Sequence, residues 1–561
     1  MQSICVVGTG YVGLVTGTCL ADFGNRVVCV DSDAEKIGQL SRGRIPFYEF
    51  SLAEVVDRNM REKRLSFSTG VAEAIRASRV VFIAVGTPSN ARGEADLSQV
   101  FEVARLIAAN LTSYKLIVQK STVPVGTGAQ LKAIIERGRK GKAPFDVASN
   151  PEFLREGSAV EDFLRPDRVV IGTWTPKAER LLADIYRPLF LNETPMVKTN
   201  VESAELIKYA ANAFLATKIS YINEMALLCE RVGADIKVVA RGMGLDRRIG
   251  AKFLHAGPGY GGSCFPKDTL ALASFSHATG FDFSIVDATI AVNDRQRREM
   301  AQRAVTMLRR SGGRRAAVLG LSFKPQTDDM RESFALELVP ALQRAGAEVS
   351  AFDPVAMEQA ALHLRDVAYC RNAYEAARDA DLLVLATEWN ELRMLDMRRI
   401  HRLMRTPNLF DCRNIYDPEQ MESIGFRYAG VGRGVFLRRS AARSAGAGSG
   451  APAAAPGARE ARPAVARSAR AGGPVGEEGA KGVKVARSLK GAKGVKVARS
   501  LKVARSLKGA KSAKVARSLK GAKGVKSTKG AKRPRRATGG VAAARKRGGS
   551  APAAHGEGGV S

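Results

Sequence analysis

The pattern of apolar positions changes character along the chain. Over residues 1–200, short unbroken apolar runs alternate with stretches of helical period. Ile4 to Val7 reads as a fully buried strand. Gly8, Gly10 and Gly13 follow at once, then an apolar-periodic helix, then a second strand, RVVCV, that ends at Asp31. Strand, glycine turn, helix, strand and acid make a βαβ unit. Further β-like runs occur at RVVFIAVGTP, KLIVQKSTVP, FDVASNPEFL and DRVVIGT, with helical stretches between them. A doubly wound parallel sheet is the economical reading.

From Val201 to Val232 the period becomes helical throughout. The stretch ESAELIKYAANAFLATKISYINEMALLCERV has no Pro and no Gly, and Gly233 follows as a C-cap. About 30 helical residues would span roughly 45 Å, a length that joins two domains or forms a dimer seam. A second α/β region starts near Gly313, with strands in RRAAVLGLSFKP, EVSAFDP, DADLLVLATEW and NLFDCRNIYD and a helix in SFALELVPALQRAGA. It resembles the first region in alternation but has no GxGxxG. The expected architecture is α/β: a dinucleotide-binding Rossmann domain over 1–200, a central helical segment over 201–300 that carries a cysteine loop, and a second Rossmann-like doubly wound domain over 301–439. The long central helix joins the two.

Residues 440–561 have neither period. Composition collapses to Ala, Gly, Ser, Lys and Arg, the hexapeptide VARSLK starts at Val485, Val497, Val503 and Val515, and Phe, Trp and Tyr are absent. Such a segment cannot bury enough apolar surface to offset chain entropy and is expected to be a disordered basic tail. Residues 441–561 hold 29 Lys+Arg against 4 Glu, a net +25 of the chain's formal +33, which leaves about +8 for residues 1–440. The first part is an ordinary soluble composition; the tail alone suits non-specific polyanion binding, nucleic acid included, by counterion release. A dispensable, solvated extension is the competing reading.

The length, 561 residues, exceeds one core. The seven cysteines, Cys5, Cys19, Cys29, Cys229, Cys264, Cys370 and Cys412, are scattered and in no CxxC pair. That argues against a disulfide framework or a metal site and for a reducing cytoplasm. MQSICVVGTG has no basic n-region or cleavage site, so no signal peptide is expected. No apolar run reaches the roughly 18 residues of a membrane span.

Two motifs carry chemistry. The GxGxxG follows a strand, opens a helix and is answered by Asp31, a setting in which a pyrophosphate approaches the glycine backbone and the helix N-terminus. Asp31 can accept hydrogen bonds from a ribose 2′-OH and would repel a 2′-phosphate, which favours NAD over NADP. The second motif is GYGGSCFPKD, with Cys264 in a glycine-rich loop and Lys267 and Asp268 three and four residues later. Beside a nicotinamide site, a thiolate can attack an aldehyde and the adduct can lose hydride to give a thioester, and a nearby cation would lower the thiol pKa without a histidine. From the motif alone, a buried inert thiol is an equal alternative.

The segments VVGTGYVGLVTG, VGTP, STVPVGT, NPEFLREGSAVEDF, ELIKYAANAFLATKISYINE, GPGYGGSCFPKD and LGLSFKPQTDDMRES, in that order, resemble the UDP-glucose/GDP-mannose dehydrogenase family over residues 1–436. The resemblance implies oxidation of a nucleotide sugar at C6 from alcohol to carboxylate, with two NAD per sugar and no release of the aldehyde. It implies Cys264 as nucleophile, Lys208 and Asn212 at the reacting oxygen, and Asp268 working with Lys208 in proton transfer through a water held by Thr122. Glu152 would be the base for thioester hydrolysis. For the cofactor it implies Gly8, Gly10, Tyr11, Val12, Gly13, Asp31, Lys36, Gly86, Thr87, Pro88, Ser121, Thr122, Glu156, Lys267 and Arg331. For the substrate it implies Glu152, Phe153, Leu154, Arg155, Lys208, Asn212, Phe253, Tyr260, Gly261, Phe323, Lys324 and Arg413. Arg248 would reach the sugar of a neighbouring subunit, which implies a homodimer or higher homo-oligomer. The form YGGSCFPKD leans toward UDP-glucose, with GDP-mannose the alternative. The tail has no counterpart in the family; an enzyme tethered by it to a polyanion such as DNA is a further alternative.

Overall fold

The computed structural model describes residues 1–434, so the basic repeat segment and the expectations placed on it lie outside the described residues. The first sheet contains β1 (Ser3–Val7), β2 (Arg26–Val30), β3 (Leu65–Ser68), β4 (Val80–Ile83), β5 (Lys115–Gln119), β6 (Phe145–Ser149), β7 (Val169–Thr173) and β8 (Met196–Thr199). Their order is β3-β2-β1-β4-β5-β6-β7-β8, a doubly wound core with two strands added at one edge. The second sheet contains β9 (Arg315–Leu319), β10 (Glu348–Phe352), β11 (Val367–Tyr369), β12 (Leu382–Leu385), β13 (Asn408–Asp411), β14 (Arg427–Gly430) and β15 (Arg433–Gly434). Its order, β11-β10-β9-β12-β13-β14-β15, repeats the same winding.

The sheets are not wholly parallel. β7 runs antiparallel to β6, with Ala148 opposite Thr173, and β15 antiparallel to β14. β3, β8 and β11 were not expected from the pattern. Each is short and half-exposed, so none shows the unbroken apolar run of a strand buried on both faces.

Alternation along the central strands divides each core in two. Ile4 and Val6 of β1 pack in one layer, Cys5 and Val7 in the other. In β9, Ala316 and Val318 face one layer and Ala317 and Leu319 the opposite one.

The long helix, Val201–Val232, starts at Asn200, whose side chain accepts the Ser203 N–H, and stops at Gly233 at φ 78°. Its first turn lies on β7: a Cβ on Gly172 would fall 2.4 Å from the Ala204 Cβ. Its last turns enter the second core through Ile222, Ala226 and Cys229. One rigid rod of 32 residues, about 48 Å long, is therefore shared by both sheets. Among the described residues no helix is long and apolar enough to cross a membrane.

Candidate active site

Four turns leave the carboxyl edge of the first sheet: Gly8–Gly10 after β1, Gly86–Pro88 after β4, Ser121–Thr122 after β5 and Asn150–Glu152 after β6. In open α/β sheets this edge is where ligands bind.

The glycines divide their work. Gly8 sits at φ 99°, and a Cβ there would fall 2.7 Å from the Ala84 carbonyl oxygen; a Cβ on Gly13 would fall 1.9 Å from the Gly8 oxygen. These two make the turn and let the helix Tyr11–Asp22 pack down on it. A Cβ on Gly10 would meet nothing within 4 Å, so the helix N-terminus, with its free N–H groups and positive dipole end, is open to a pyrophosphate. At the end of β2, Asp31 accepts the Thr9 N–H at 2.9 Å and the Thr9 hydroxyl at 2.7 Å, with Lys36 Nζ 3.3 Å away. Burial would raise its carboxyl, but the bonds from Thr9 and Asp33 and the charge of Lys36 outweigh burial and hold it low. A fixed anion here suits ribose hydroxyls and opposes a 2′-phosphate. The residues present thus fit NAD. Thr87 donates to the Thr122 carbonyl at 2.9 Å and Ser121 to the Val85 carbonyl at 2.7 Å, which locks the turns after β4 and β5 together. Gly86 and Pro88 are exposed beside them, and Tyr11 and Val12 are half-buried at the helix start.

The long helix brings the reacting groups to this edge. Lys208 and Asn212 are four apart and share one face. Lys208 Nζ donates to Glu152 Oε1 at 2.8 Å, and Asn212 Nδ2 to Asp268 Oδ2 at 2.6 Å. Lys267 Nζ donates to the other oxygen of Asp268 at 2.5 Å. Lys208, Glu152, Asn212 and Asp268 are all buried. Lys208 is therefore paired with Glu152, while Asp268 is held by Asn212 and Lys267. Burial would raise Glu152, but Lys208 and the Leu154 N–H, 2.6 Å from its Oε2, hold it low. Burial likewise opposes the charge on Lys208, and Glu152, Cys264 and Asp268 together raise it.

Cys264 caps the helix Phe265–Ala278, with Pro266 in its first turn. Its Sγ lies 3.5 Å from Ser263 Oγ. Burial pushes the thiol up to about 11, with Glu152, Asp268 and Glu156 adding to the rise and Lys208 opposing it. The expected lowering by a neighbouring cation does not prevail. The negative charges of three carboxylates oppose the thiolate, and the Lys208 ammonium is already paired with one of them.

The second sheet closes the site from the far side. A Cβ on Gly261 would fall 2.1 Å from the Glu332 oxygen, and one on Gly262 would fall 2.6 Å from the Phe323 ring. Arg413 donates to the Phe323 carbonyl at 3.1 Å, and Lys324 to the Glu156 carbonyl. Glu156 accepts Ser263 Oγ at 3.0 Å and lies 3.3 Å from Arg331 Nη2; burial and Asp329 push its carboxyl up to about 7. The Phe153 ring has Lys208 Nζ 5.4 Å and the Arg168 guanidinium 3.5 Å from its centre. Arg155 pairs with Asp162 at 2.6 Å. Phe253 and Tyr260 flank the Phe265 ring at 6.1 Å each, and Tyr260 is buried.

Arg248 is not part of this cluster: it is exposed and pairs with Asp246 at 2.6 Å. Three contributors were not expected from the sequence. Ser263 bridges Cys264 and Glu156. Glu49 is buried and holds the Tyr11 hydroxyl together with the N–H groups of Gly157 and Ala159. Lys120 lies buried beneath Asn150. Ser263 and Lys120 lie within the GYGGSCFPKD and KLIVQKSTVP segments, where neighbouring residues carry the signal; Glu49, in PFYEF, carries no local signal.

The sequence matches the UDP-glucose/GDP-mannose dehydrogenase family in three parts: its NAD binding domain over residues 2–190, its central domain over 202–295 and its UDP binding domain over 317–418. A UDP-glucose 6-dehydrogenase of Rhizobium meliloti (strain 1021) is 53% identical over 436 residues, covering 77% of this chain and 100% of that protein. One from Bacillus subtilis (strain 168) is 48% identical over 434 residues, 77% of this chain and 94% of its own length. A solved UDP-glucose dehydrogenase from Pyrobaculum islandicum superposes with a TM-score of 0.71 at 39% identity, covering 77% of this chain and 98% of that one. With its two doubly wound sheets, shared helix and cysteine loop, the chain belongs to the UDP-glucose/GDP-mannose dehydrogenase family.

Proposed function

We propose that this protein oxidises UDP-glucose to UDP-glucuronate in two NAD-dependent steps at one site. The observation that carries the proposal is the convergence of Cys264 with the Lys208–Glu152 and Asn212–Asp268 pairs at the ligand-binding edge of the first sheet. NAD, when bound at the glycine turn, supplies hydride acceptance.

Lys208 and Asn212 hold the C6 oxygen, and the Lys208 ammonium stabilises negative charge that develops on it. The alcohol loses hydride and a proton to become an aldehyde. Cys264 Sγ then bonds to C6 while its proton leaves the thiol, giving a thiohemiacetal. Loss of a second hydride and the hydroxyl proton gives a thioester. Water, deprotonated by Glu152, adds to C6; the C–S bond breaks and carboxylate and thiol are released. The balance is one alcohol, two NAD and one water to one carboxylate, two NADH and three protons. Asp268 positions Asn212 and takes part in proton transfer with a water held by Thr122. Phe153, Leu154, Arg155, Phe253, Tyr260, Gly261, Phe323, Lys324 and Arg413 form the nucleotide-sugar side, and Glu156, Lys267 and Arg331 the nicotinamide side.

The active unit is a homodimer. Phe214, Tyr221 and Leu228 are exposed at a seven-residue spacing on the long helix, and Val238, Leu245 and Ile249 are exposed nearby in sequence. Arg248 lies in that exposed region and reaches the partner's sugar.

The test is NADH formed per sugar consumed, for UDP-glucose and GDP-mannose, with wild type and Cys264→Ser. Two NADH from UDP-glucose, with turnover collapsing in the variant, is the expected result. One NADH with free aldehyde, or an unaffected variant, overturns the covalent route; turnover of GDP-mannose alone overturns the substrate.

A further inference from the structure

Lys120 is the last residue before the Ser121–Thr122 turn, and its hydrogen-bond partners are neutral groups, not carboxylates. Its ammonium is buried, with Asn150 Oδ1 at 3.0 Å and the Tyr186 hydroxyl at 3.4 Å as hydrogen-bond partners and the rings of Phe163 and Tyr186 5.8 and 5.9 Å away. Asn150 in turn receives the Tyr186 hydroxyl at 2.6 Å and donates to the Val170 carbonyl at 2.8 Å. Two residues on from Asn150 is Glu152. A long apolar side chain could fill this space, and neutral partners do not repay burial of an ammonium. The charge therefore calls for an explanation other than packing.

The titratable groups that face Lys120 are Glu152 on the turn after β6, Lys208 on the long helix and Tyr186 after the helix Pro176–Ile185; Cys19 of the helix Tyr11–Asp22 acts in turn on Tyr186. Glu152 and Lys208 act on Lys120 in opposite senses. Glu152 thus has two ammonium groups in its field, one in contact and one set back behind Asn150.

We infer that Lys120 is a positioning residue for the hydrolytic half of the reaction: its buried amine ties the Thr122 turn to the Glu152 turn and sets the charge against which Glu152 works as a base. The inference rests on the role given to Glu152 above. Burial brings the Lys120 amine down to about 7, so the device operates near neutrality. Below that pH the charged amine helps hold Glu152 as a weak base. Above it the amine is neutral, Lys208 alone faces the carboxylate, and Glu152 takes a proton from water more readily.

The test compares wild type, Lys120→Met and Lys120→Arg in the full chain, reading the pH profile of kcat with UDP-glucose and NAD, and the NADH yield per sugar. Lys120→Met removes the cation at every pH, so the acid limb assigned to Glu152 moves up, by about half to one pH unit. Lys120→Arg keeps the cation at every pH, so the acid limb stays and kcat above pH 7 falls severalfold. Should either variant fail to fold, Asn150→Asp supplies the same test, since a carboxylate against Lys120 cancels its field and moves the acid limb up. Two NADH per sugar with an unmoved profile in folded variants sinks the inference and leaves the dehydrogenase reading intact. One NADH per sugar in wild type sinks the reading of Glu152, and this inference with it.

Discussion

The Lys208 ammonium and the Glu152 carboxylate form a 2.8 Å ion pair whose side chains are 4% and 5% exposed. The pair joins the long helix to the turn after β6. Removing one member leaves the other as a buried uncompensated charge, which costs about 3–5 kcal/mol. Lys208→Met is expected to lose turnover and to lower the urea midpoint. The loss should depend on pH in a defined sense. Glu152 is held below its unfolded value in wild type, so its contribution is present above the unfolded carboxylate range and disappears as pH falls through the folded value. The gap in midpoint between wild type and variant should therefore be widest near pH 8 and narrow toward pH 4. A constant gap would show that the loss comes from packing.

The Cys264 thiol at about 11 predicts a sluggish nucleophile in the free enzyme. At pH 8 the thiolate fraction would be on the order of 10⁻³. Iodoacetamide labelling of Cys264, followed by mass spectrometry, should rise about tenfold per pH unit between pH 7 and 10. Full labelling within the same time at pH 7 would place the thiol much lower. Lys208→Met, which removes a cation opposing the rise, should slow labelling further at each pH.

Much of this site was legible as sequence because its parts sit at strand ends. Gly8, Gly10, Gly13 and Asp31 follow one another within a single βαβ unit, and Lys208 and Asn212 share a helix face by spacing alone. What was not legible depends on distance in space. That Lys208 binds Glu152 and not Asp268 follows from where β6 ends relative to the long helix, which no local pattern records. The thiol's high pKa comes from burial and from three carboxylates drawn from the loop after β6 and a helix. Glu49 reaches Tyr11 and Gly157 across 38 and 108 residues of chain. The edge strands β3, β8 and β11 escaped because half-exposed strands lack the apolar run that marked β1 and β4.

The glycines separate turn-making from ligand access, and their variants should separate too. Gly13→Ala places a Cβ 1.9 Å from a backbone oxygen and cannot be relieved by a side-chain rotation. It should lower the melting temperature and abolish NAD binding together. Gly10→Ala meets nothing in the protein, so the melting temperature without cofactor should be unchanged while Kd for NAD rises at least tenfold. Calorimetric NAD titration beside thermal melts reads both. An unaltered Kd in Gly10→Ala would remove the pyrophosphate from that position.

The dimer reading makes the strongest demand on geometry. If Arg248 completes the partner's site, Arg248→Ala and Cys264→Ser should each be inactive alone yet complement when mixed and allowed to exchange subunits. In a mixed dimer one site carries both defects. The other has an intact cysteine from one chain and an intact arginine from its partner. With half the dimers mixed and one good site in each, about a quarter of wild-type activity should return, as two-fold symmetry dictates. Phe214→Asp, which places a charge in the exposed apolar stripe of the long helix, should abolish the complementation and give a monomer on light scattering. No recovery from a mixture shown to exchange would confine Arg248 to its own surface, where its Asp246 contact would be its whole role.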